Sequence, residues 1–522
     1  MNSLKEKNNP AFLLELILKK QPRNKKELEQ IKRSWARQQQ QPLPRNSELW
    51  AFYSQNPRDL KTTIYLRQLL QLKKIRTLSG VVPLALFTKP YPCGGRCVYC
   101  PLAPQLPRSY LPSEPAIRRA GQENFDPRRQ VKIRLQQYQR LGHPTDKIEL
   151  IIKGGSWSAY PWSYRQWFVK ECFIACNLGL EPNPAREEFL ARQSLAQLQK
   201  LNEEAPHRIV GINIETRPNF ITAQAITELR FLGVTTVELG VQTLQEEVLR
   251  LVRRDHGRAE VIQATQLLKE AGFKISYHLM PNLPGSNPAR DRADFVELFN
   301  NPQFRPDRLK IYPCVVLPRT ILSRWYREGK YQPYAEKKLI SLLQEIKLLL
   351  PPYVRVDRLG RDIPRPEIEA GFTSSNIREL VQQRLHRAGQ SCLCIRCREI
   401  KGEKPSAKLK ISSLTYSASG GKEIFLQWVD EKKPPRLYSL LRLRLGDKAW
   451  VRELHTFGPS LRLGDEGEVQ HRGLGKLLLA RAEQWAREQG YRQLRVIAGV
   501  GVRPYYRAQG YYLQGPDMVK DL

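Results

Sequence analysis

Three cysteines within eight residues, Cys93-Gly-Gly-Arg-Cys97-Val-Tyr-Cys100, are the side chains of this chain whose type and spacing point most directly to chemistry. Short spacers let several thiolates wrap one soft metal centre. Three ligands are one short of the four used by a closed zinc site or an ordinary electron-transfer cluster. A four-iron cube held by only three cysteines leaves one iron open to bind something else. Gly94 and Gly95 supply the backbone freedom for a tight loop around such a cube. A zinc knuckle and three unrelated core thiols are the competing readings, since cysteine is commonly just a small buried hydrophobe. The glycines between the ligands and the strand-like run Pro83-Leu-Ala-Leu-Phe87 before them favour the cluster. A second triplet, Cys392-Leu-Cys394-Ile-Arg-Cys397, also suits one metal. It has fewer glycines and lies in a basic stretch, so it reads as structural zinc with a fourth ligand from elsewhere, His386 being a candidate. Free thiols in a linker are the alternative there. Cys172, Cys176 and Cys314 read as core.

Other polar residues gather at the ends of apolar runs. Ile148–Ile152 leads into Lys153-Gly154-Gly155-Ser156, a turn that lets a ligand approach main-chain groups. Later runs end in Glu215-Thr-Arg217, in Glu238-Leu-Gly240-Val-Gln242, at His278, and in Lys310-Ile-Tyr312. Any one of these could be a capped turn or a surface ion pair; together they resemble the mouth of a barrel. Far downstream, Gln470-His-Arg-Gly473-Leu-Gly475 opens a long amphipathic helix. Such a loop presents backbone N–H groups and the positive end of a helix dipole to a pyrophosphate. Tyr505 and Tyr506 follow in a helical stretch before a last strand.

These residues require elements to hold them. Short apolar runs alternate with longer amphipathic stretches from about 77 to 365, the pattern of βα units. The expected strands are Leu84–Phe87, Ile148–Ile152, Ile209–Ile214, Thr236–Leu239, Lys274–His278 and Leu309–Tyr312, with Tyr353–Val356 closing or flanking the set. Six units make a partial, open barrel, with its site at the C-terminal strand ends. Past about 405 the character changes, and Leu440–Leu445 and Ala449–His455 read as adjacent strands. Before the barrel, residues 1–76 hold 17 Lys and Arg against 6 Asp and Glu. Phe12–Leu18 and Tyr65–Leu70 repeat at helical spacing there. Lys19, Lys20, Arg23, Lys25, Lys26, Lys32, Arg33 and Arg37 stud this region. It reads as a helical grip on a phosphate backbone; a solvated basic face or a partly disordered arm is the alternative.

The 522 residues carry a formal charge of +35, which points to a polyanionic partner, most simply nucleic acid. No apolar run reaches the ~18 residues of a spanning helix, and no signal peptide opens the chain. Nine cysteines, six of them in two triplets, suit reduced thiolates in a cytoplasm better than a disulfide framework.

The C-x3-C-x2-C spacing resembles that of radical S-adenosylmethionine enzymes, and the Gln470–Gly475 loop resembles the acetyl-coenzyme A signature of GNAT acetyltransferases. Joined in one chain they resemble the catalytic subunit of the Elongator complex and its stand-alone bacterial and archaeal relatives. The strings that carry this are Arg76-Thr-Leu-Ser-Gly80, Lys89-Pro-Tyr-Pro-Cys93, Leu141-Gly-His-Pro-Thr-Asp-Lys147, Ile214-Glu-Thr-Arg-Pro218, Phe304-Arg-Pro-Asp307, Arg361-Asp-Ile-Pro364, Arg452-Glu-Leu-His455 and Leu513-Gln-Gly-Pro516. The resemblance implies an α/β fold: a partial (β/α)6 radical S-adenosylmethionine barrel followed by a GNAT α+β domain, with a basic helical N-terminal segment. With the residue readings above, the chain divides into a segment 1–76 whose tRNA binding rests on charge alone, the barrel 77–380, a zinc-binding linker 381–404 read from its cysteines, and the acetyltransferase domain 405–522.

The resemblance also implies the activity, a tRNA uridine(34) acetyltransferase making 5-carboxymethyluridine at the wobble position. Its cofactors would be a 4Fe–4S cluster, S-adenosylmethionine and acetyl-coenzyme A, beside the structural zinc read from Cys392, Cys394 and Cys397. Its partners would be the anticodon stem-loop and an electron donor, with no membrane. Cys93, Cys97 and Cys100 would bind the cluster, and Gly154, Gly155 and Ser156 the S-adenosylmethionine. Lys147 would contact acetyl-coenzyme A inside the barrel. Glu453, Leu454, His455 and Thr456 would line the coenzyme, Leu474, Gly475 and Lys476 its pyrophosphate, and Tyr506 its thiol. Lys147 and Tyr506 are the expected catalytic pair. The S-adenosylmethionine on the open iron would yield a radical that takes hydrogen from the acetyl methyl, and the resulting carbon would add to uracil C5. Ser156 stands where the family usually has threonine, Asp517 where it usually has an aromatic residue, and the first 75 residues match poorly. A protein lysine acetyltransferase with a merely structural cluster is the rival reading, and an RNA-binding scaffold that senses acetyl-coenzyme A a third.

Overall fold

The computed structural model describes residues 10–70, 80–101, 103–401, 403, 406, 408–458 and 473–522. Arg76–Ser79 and Gln470–Arg472, which belong to two of the strings above, lie outside them.

Seven strands form one parallel sheet in sequential order: β1 (Val82–Phe87), β2 (Lys147–Lys153), β3 (Arg208–Thr216), β4 (Thr236–Gln242), β5 (Lys274–Leu279), β6 (Arg308–Ile311) and β7 (Arg355–Leu359). Sequential parallel pairing needs a crossover after every strand, and the amphipathic stretches supply helices for it. The seventh strand begins two residues later than expected, and it extends the sheet by pairing with β6. No β7–β1 ladder closes the ring among the described residues.

One face of each strand packs outward on the helices. Ile148, Leu150 and Ile152 share a core with Phe168, Val169, Cys172, Phe173 and Cys176 of the helix Trp162–Leu178. Residues i and i+4 share a helix face, so the two cysteines are core, as expected. The alternate positions point into the bore, and on β2 these are Lys147, Glu149, Ile151 and Lys153, all half-buried. A barrel filled for stability alone carries branched apolar side chains inside. This one carries ions.

Four N-terminal helices, Pro10–Lys20, Lys25–Gln38, Asn46–Gln55 and Leu60–Leu70, enclose their own core of Leu13, Ile17, Leu28, Trp35, Leu49 and Leu66. Asn24 caps the second by accepting from the Glu27 N–H. Lys19, Lys20, Arg23, Lys25, Lys26, Arg33 and Arg37 are exposed. Lys32 departs from the expected basic face. It is buried and donates to Asn46 Oδ1 at 2.7 Å, because its position on the amphipathic helix falls on the core side.

The C-terminal domain is a second sheet in the order β13-β14-β12-β11-β10-β9-β8, comprising β8 (Lys410–Ala418), β9 (Gly421–Val429), β10 (Leu437–Leu445), β11 (Ala449–Thr456), β12 (Gln493–Val496), β13 (Tyr512–Gln514) and β14 (Asp517–Asp521). The expected neighbours β10 and β11 pair antiparallel. The domain docks across the N-terminal ends of the barrel strands. Arg452 donates to Phe273 O at 2.7 Å and ion-pairs with Asp307, while Arg442 donates to Tyr353 O at 2.8 Å. Buried charges are tolerable only when paired with opposite charge, as both are to Asp307. Gly499 and Gly501 press on β3 so closely that a β-carbon at either would strike Val210 O or Arg208. Asp517, unexplained by sequence, ion-pairs with Arg230 of the barrel and Arg495.

Candidate active site

The cysteine loop follows β1 and therefore sits at the C-terminal mouth of the barrel. Cys93, Cys97 and Cys100 are half-buried and unpaired by disulfides. Gly94 takes φ +73°, and at Gly95 a β-carbon would collide with the Arg217 guanidinium. Arg217 points a donor at Cys93 Sγ (3.9 Å) and Arg254 donates to Cys97 Sγ (3.5 Å). Val98 N–H donates to Val252 O, which ties the loop to the segment carrying Arg254. Burial, then repulsion from Cys97 and Cys93, pushes the Cys100 thiol up to about 11, so a bare thiolate is disfavoured at that position. Iron in place of the protons, with two guanidinium charges beside it, removes that conflict. The donor set fits a cluster.

Gly154 and Gly155 follow β2 at φ +135° and +100°. A β-carbon on Gly155 would lie 3.9 Å from Cys93 Cβ, and one on Gly154 would strike Thr88 Oγ1. The glycine turn and the cysteine loop therefore form one wall, with Ser156 buried beside them.

Beneath this wall the inner strand ends are knitted together. Glu238 accepts from Asn213 Nδ2 (2.7 Å), His278 Nε2 (2.8 Å) and the Lys310 ammonium, and Glu215 lies 3.4 Å from His278 Nδ1. Burial alone would raise Glu238, but Lys310 and His278 hold it well below its ordinary value. Burial would lower His278, but Glu215 and Glu238 hold it above 6.5. Glu215, Glu238 and His278 are close enough to share a cation, yet Lys310 and His278 already compensate the carboxylates. Lys153, buried near Lys310, is lowered to about 8 by burial first and that neighbour second.

The expected coenzyme residues cluster at the opposite end. β11 leaves β12 after Val451 but stays on β10 to Thr456, so the two strands split open. Glu453, Leu454, His455 and Thr456 line that split, half-buried. A β-carbon on Gly475 would lie 3.5 Å from Thr456 Oγ1, 3.5 Å from Tyr505 OH and 3.7 Å from Leu454 Cδ1. This brings the first turn of the helix Leu474–Glu488, with Lys476, onto the same split. Burial raises Glu453, but Arg442, Lys274 and Arg308 outweigh it and hold it well below its ordinary range. Burial lowers His455 to about 4, so it is neutral. Tyr506 is buried against Tyr505 and Tyr511, and it is the half-exposed Tyr505 hydroxyl that approaches Gly475. Lys147 opens β2 at this same mouth, its ammonium lowered by burial.

Cys392, Cys394 and Cys397 lie beside the start of β7, where Ile395 N–H donates to Val354 O. Their sulfurs lie within 4.8 Å of one another, the reach of a single ion. His386 does not join them; it is exposed near the end of the helix Ile377–Arg387, which itself runs across the boundary expected at 380. Lys347 is the neighbour instead, with Nζ 3.2 Å from Cys394 Sγ and 3.4 Å from Cys397 Sγ. Arg217 was visible in the sequence as a strand-end residue. Arg254 and Lys347 carried no local signal, since each acquires its neighbours only by long-range packing.

Residues 162–299 match the Radical SAM superfamily and residues 306–387 the Radical_SAM C-terminal domain. A tRNA uridine(34) acetyltransferase of Dehalococcoides mccartyi is 44% identical over 86% of this chain and 100% of that protein. One from Methanocaldococcus infernus is 40% identical over 96% of each. Elongator complex protein 3 of Homo sapiens is 36% identical over 87% of this chain and 86% of that protein. The solved structure of the archaeal Methanocaldococcus infernus Elp3 lacking N-terminal residues 1–46 superposes with a TM-score of 0.73, at 38% identity, over 85% of this chain and 100% of that one.

Proposed function

This chain belongs to the family of tRNA uridine(34) acetyltransferases and Elongator complex protein 3, and from that premise we propose a division of labour between the two mouths of its barrel. The protein is a radical S-adenosylmethionine enzyme that acts on wobble uridine 34 of tRNA. The cluster, when bound, supplies the electron that splits S-adenosylmethionine and so starts radical chemistry.

Around it the chain's own residues bind, orient and shield. Cys93, Cys97 and Cys100 hold the iron. Arg217 and Arg254 offset its negative charge, and Gly154, Gly155 and Ser156 cradle the methionine end of the cofactor. At the other mouth Glu453–Thr456 and Leu474–Lys476 bind acetyl-coenzyme A, with Lys147 and Tyr506 as the catalytic pair beside the thioester. Cys392, Cys394 and Cys397 hold structural zinc where the barrel meets the acetyltransferase domain. The domains are 1–76, 77–380, 381–404 and 405–522, with the helix Ile377–Arg387 bridging the second and third, and the exposed lysines and arginines of the first grip the phosphates of the anticodon stem-loop. The base is splayed out of its stack to reach the mouth. The reaction yields 5-carboxymethyluridine in the cytoplasm with an external electron donor.

The observation that carries this reading is that a cysteine loop and a coenzyme split face opposite ends of one polar-lined barrel. The test is anaerobic incubation with tRNA, both cofactors and a reductant, followed by mass spectrometry of the nucleosides. Carboxymethyluridine that requires both cofactors is expected. Peptide acetylation independent of S-adenosylmethionine, without modified tRNA, would sink it.

A further inference from the structure

Four lysines are almost fully buried among the described residues, and three of them reach a carboxylate. Lys32 pairs with Glu29, Lys269 with Glu423 and Lys310 with Glu238. Lys347, 2% exposed, is the fourth, and its ammonium reaches sulfur instead: Cys394 Sγ at 3.2 Å and Cys397 Sγ at 3.4 Å. It stands on the helix Glu336–Leu349 in line with Leu339 and Leu343, each four residues from the next, so the helix face that builds the core carries this charge inward. A buried ammonium with no opposite charge is costly, and the sulfurs are where that charge must come from.

The second cysteine triplet has the complementary deficit. Among the described residues no fourth His, Cys, Asp or Glu joins Cys392, Cys394 and Cys397. A divalent ion on three thiolates therefore carries one net negative charge, and Cys392 and Cys394 lie in the apolar core. Two neutral donors also reach the sulfurs. Cys394 N–H donates to Cys392 Sγ at 3.4 Å, and Gln382 Nε2 to Cys397 Sγ at 3.8 Å. Arg398, buried close by, directs its guanidinium to neutral oxygens, those of Leu393, Pro352 and Gln427. Lys347 is thus the cation that touches the ligands themselves.

We propose that Lys347 is a positioning residue of this metal site, whose ammonium donates to two thiolate ligands and cancels the net charge of the complex, so that three cysteines suffice to retain a divalent ion. The inference rests on the zinc reading above. The two N–H···S contacts also hold the Cys394 and Cys397 side chains turned toward one point, as outer partners do for metal ligands elsewhere. Neither effect needs an additional protein ligand.

Two variants of the full chain test this. Lys347→Met keeps the length of the stem and removes the charge. Lys347→Gln keeps a neutral donor and carries the test should the first variant fail to fold. Competition with a coloured chelator should show zinc held about 10- to 100-fold more weakly by Lys347→Met, with Lys347→Gln between it and the wild type. Cadmium substituted for zinc should give the same thiolate-to-metal absorption in all three proteins, because no ligand has been removed. Thermal melting separates charge from packing: by linkage, the gap between wild type and variant should be wider with zinc than after chelation. Unchanged zinc retention overturns the inference, and so does a gap of equal size with and without the metal, which marks a packing role alone. A wild type that takes up neither zinc nor cadmium overturns the zinc reading instead.

Discussion

The two cysteine triplets use the same residue at nearly the same spacing, and the fold gives them opposite surroundings. Cys93, Cys97 and Cys100 are half-buried on a glycine-bearing loop, faced by two guanidinium groups, over a bore lined with ions. Cys392, Cys394 and Cys397 are drawn within 4.8 Å of one another, with two of them in the apolar core. The short helix Ile395–Arg398 that begins at Cys394 is pinned to both neighbouring domains. Arg398 donates to Pro352 O (2.8 Å) on the barrel side and to Gln427 Oε1 (3.0 Å) on the side of the C-terminal sheet. One triplet is open to a substrate and the other is closed into a joint. What separates the two triplets here is access, not ligand type or a cation nearby, since Lys347 stands beside the second as Arg217 and Arg254 stand beside the first.

The comparison breaks most sharply at Cys97. Cys97→Ala should lose cluster iron and bring 5-carboxymethyluridine below detection while barely moving the melting temperature. Iron assay, nucleoside mass spectrometry and calorimetry read all three, and product from that variant would erase the contrast. Cys394→Ser should do the reverse. Zinc should fall from about one per chain to none and stability by roughly 3 kcal/mol or more, with activity retained by the protein that remains folded. Arg254→Gln should keep its iron but slow 5′-deoxyadenosine formation about 10-fold, ~1.4 kcal/mol on the barrier, and shift the cluster's reduction potential measured by redox titration.

The smallest effect concerns the ions under the open triplet. His278 titrates above 6.5 in the folded state, so its pairing with Glu215 and Glu238 stabilises the protein fully below pH 6.5. That contribution is lost as pH rises through the raised value. The stability gap between wild type and His278→Gln, read by thermal melting, should therefore narrow from pH 6 to pH 9. A gap that widens would mean that His278 is neutral.

Much of this was legible in order along the chain. All six expected strands of the barrel form, because a period of two and apolar runs of four to eight residues are local properties. The Gly-Gly turn had to end β2, since two consecutive positive-φ positions admit little else. The helical N-terminal segment was legible in outline, but the inward turn of Lys32 was not, because charge alone does not reveal which face of a helix meets a core. His386 looked like a zinc ligand because it is near in sequence; the helix that carries it turns it to solvent. Tyr505 and Tyr506 were indistinguishable as adjacent tyrosines, and only packing decided which is buried.

By itself, then, the sequence determined the local quantities: the strands and helices, the glycine turns, the ligand types and the surplus of positive charge. Tertiary structure alone decided that Arg217 and Arg254 stand at the cysteines, that the second domain caps the N-terminal ends of the strands, and that the bore between the two mouths is polar. The physical reason is range. Dihedral preference and hydrophobic period act over a few residues, whereas charge compensation and burial depend on groups that meet only once the chain has folded.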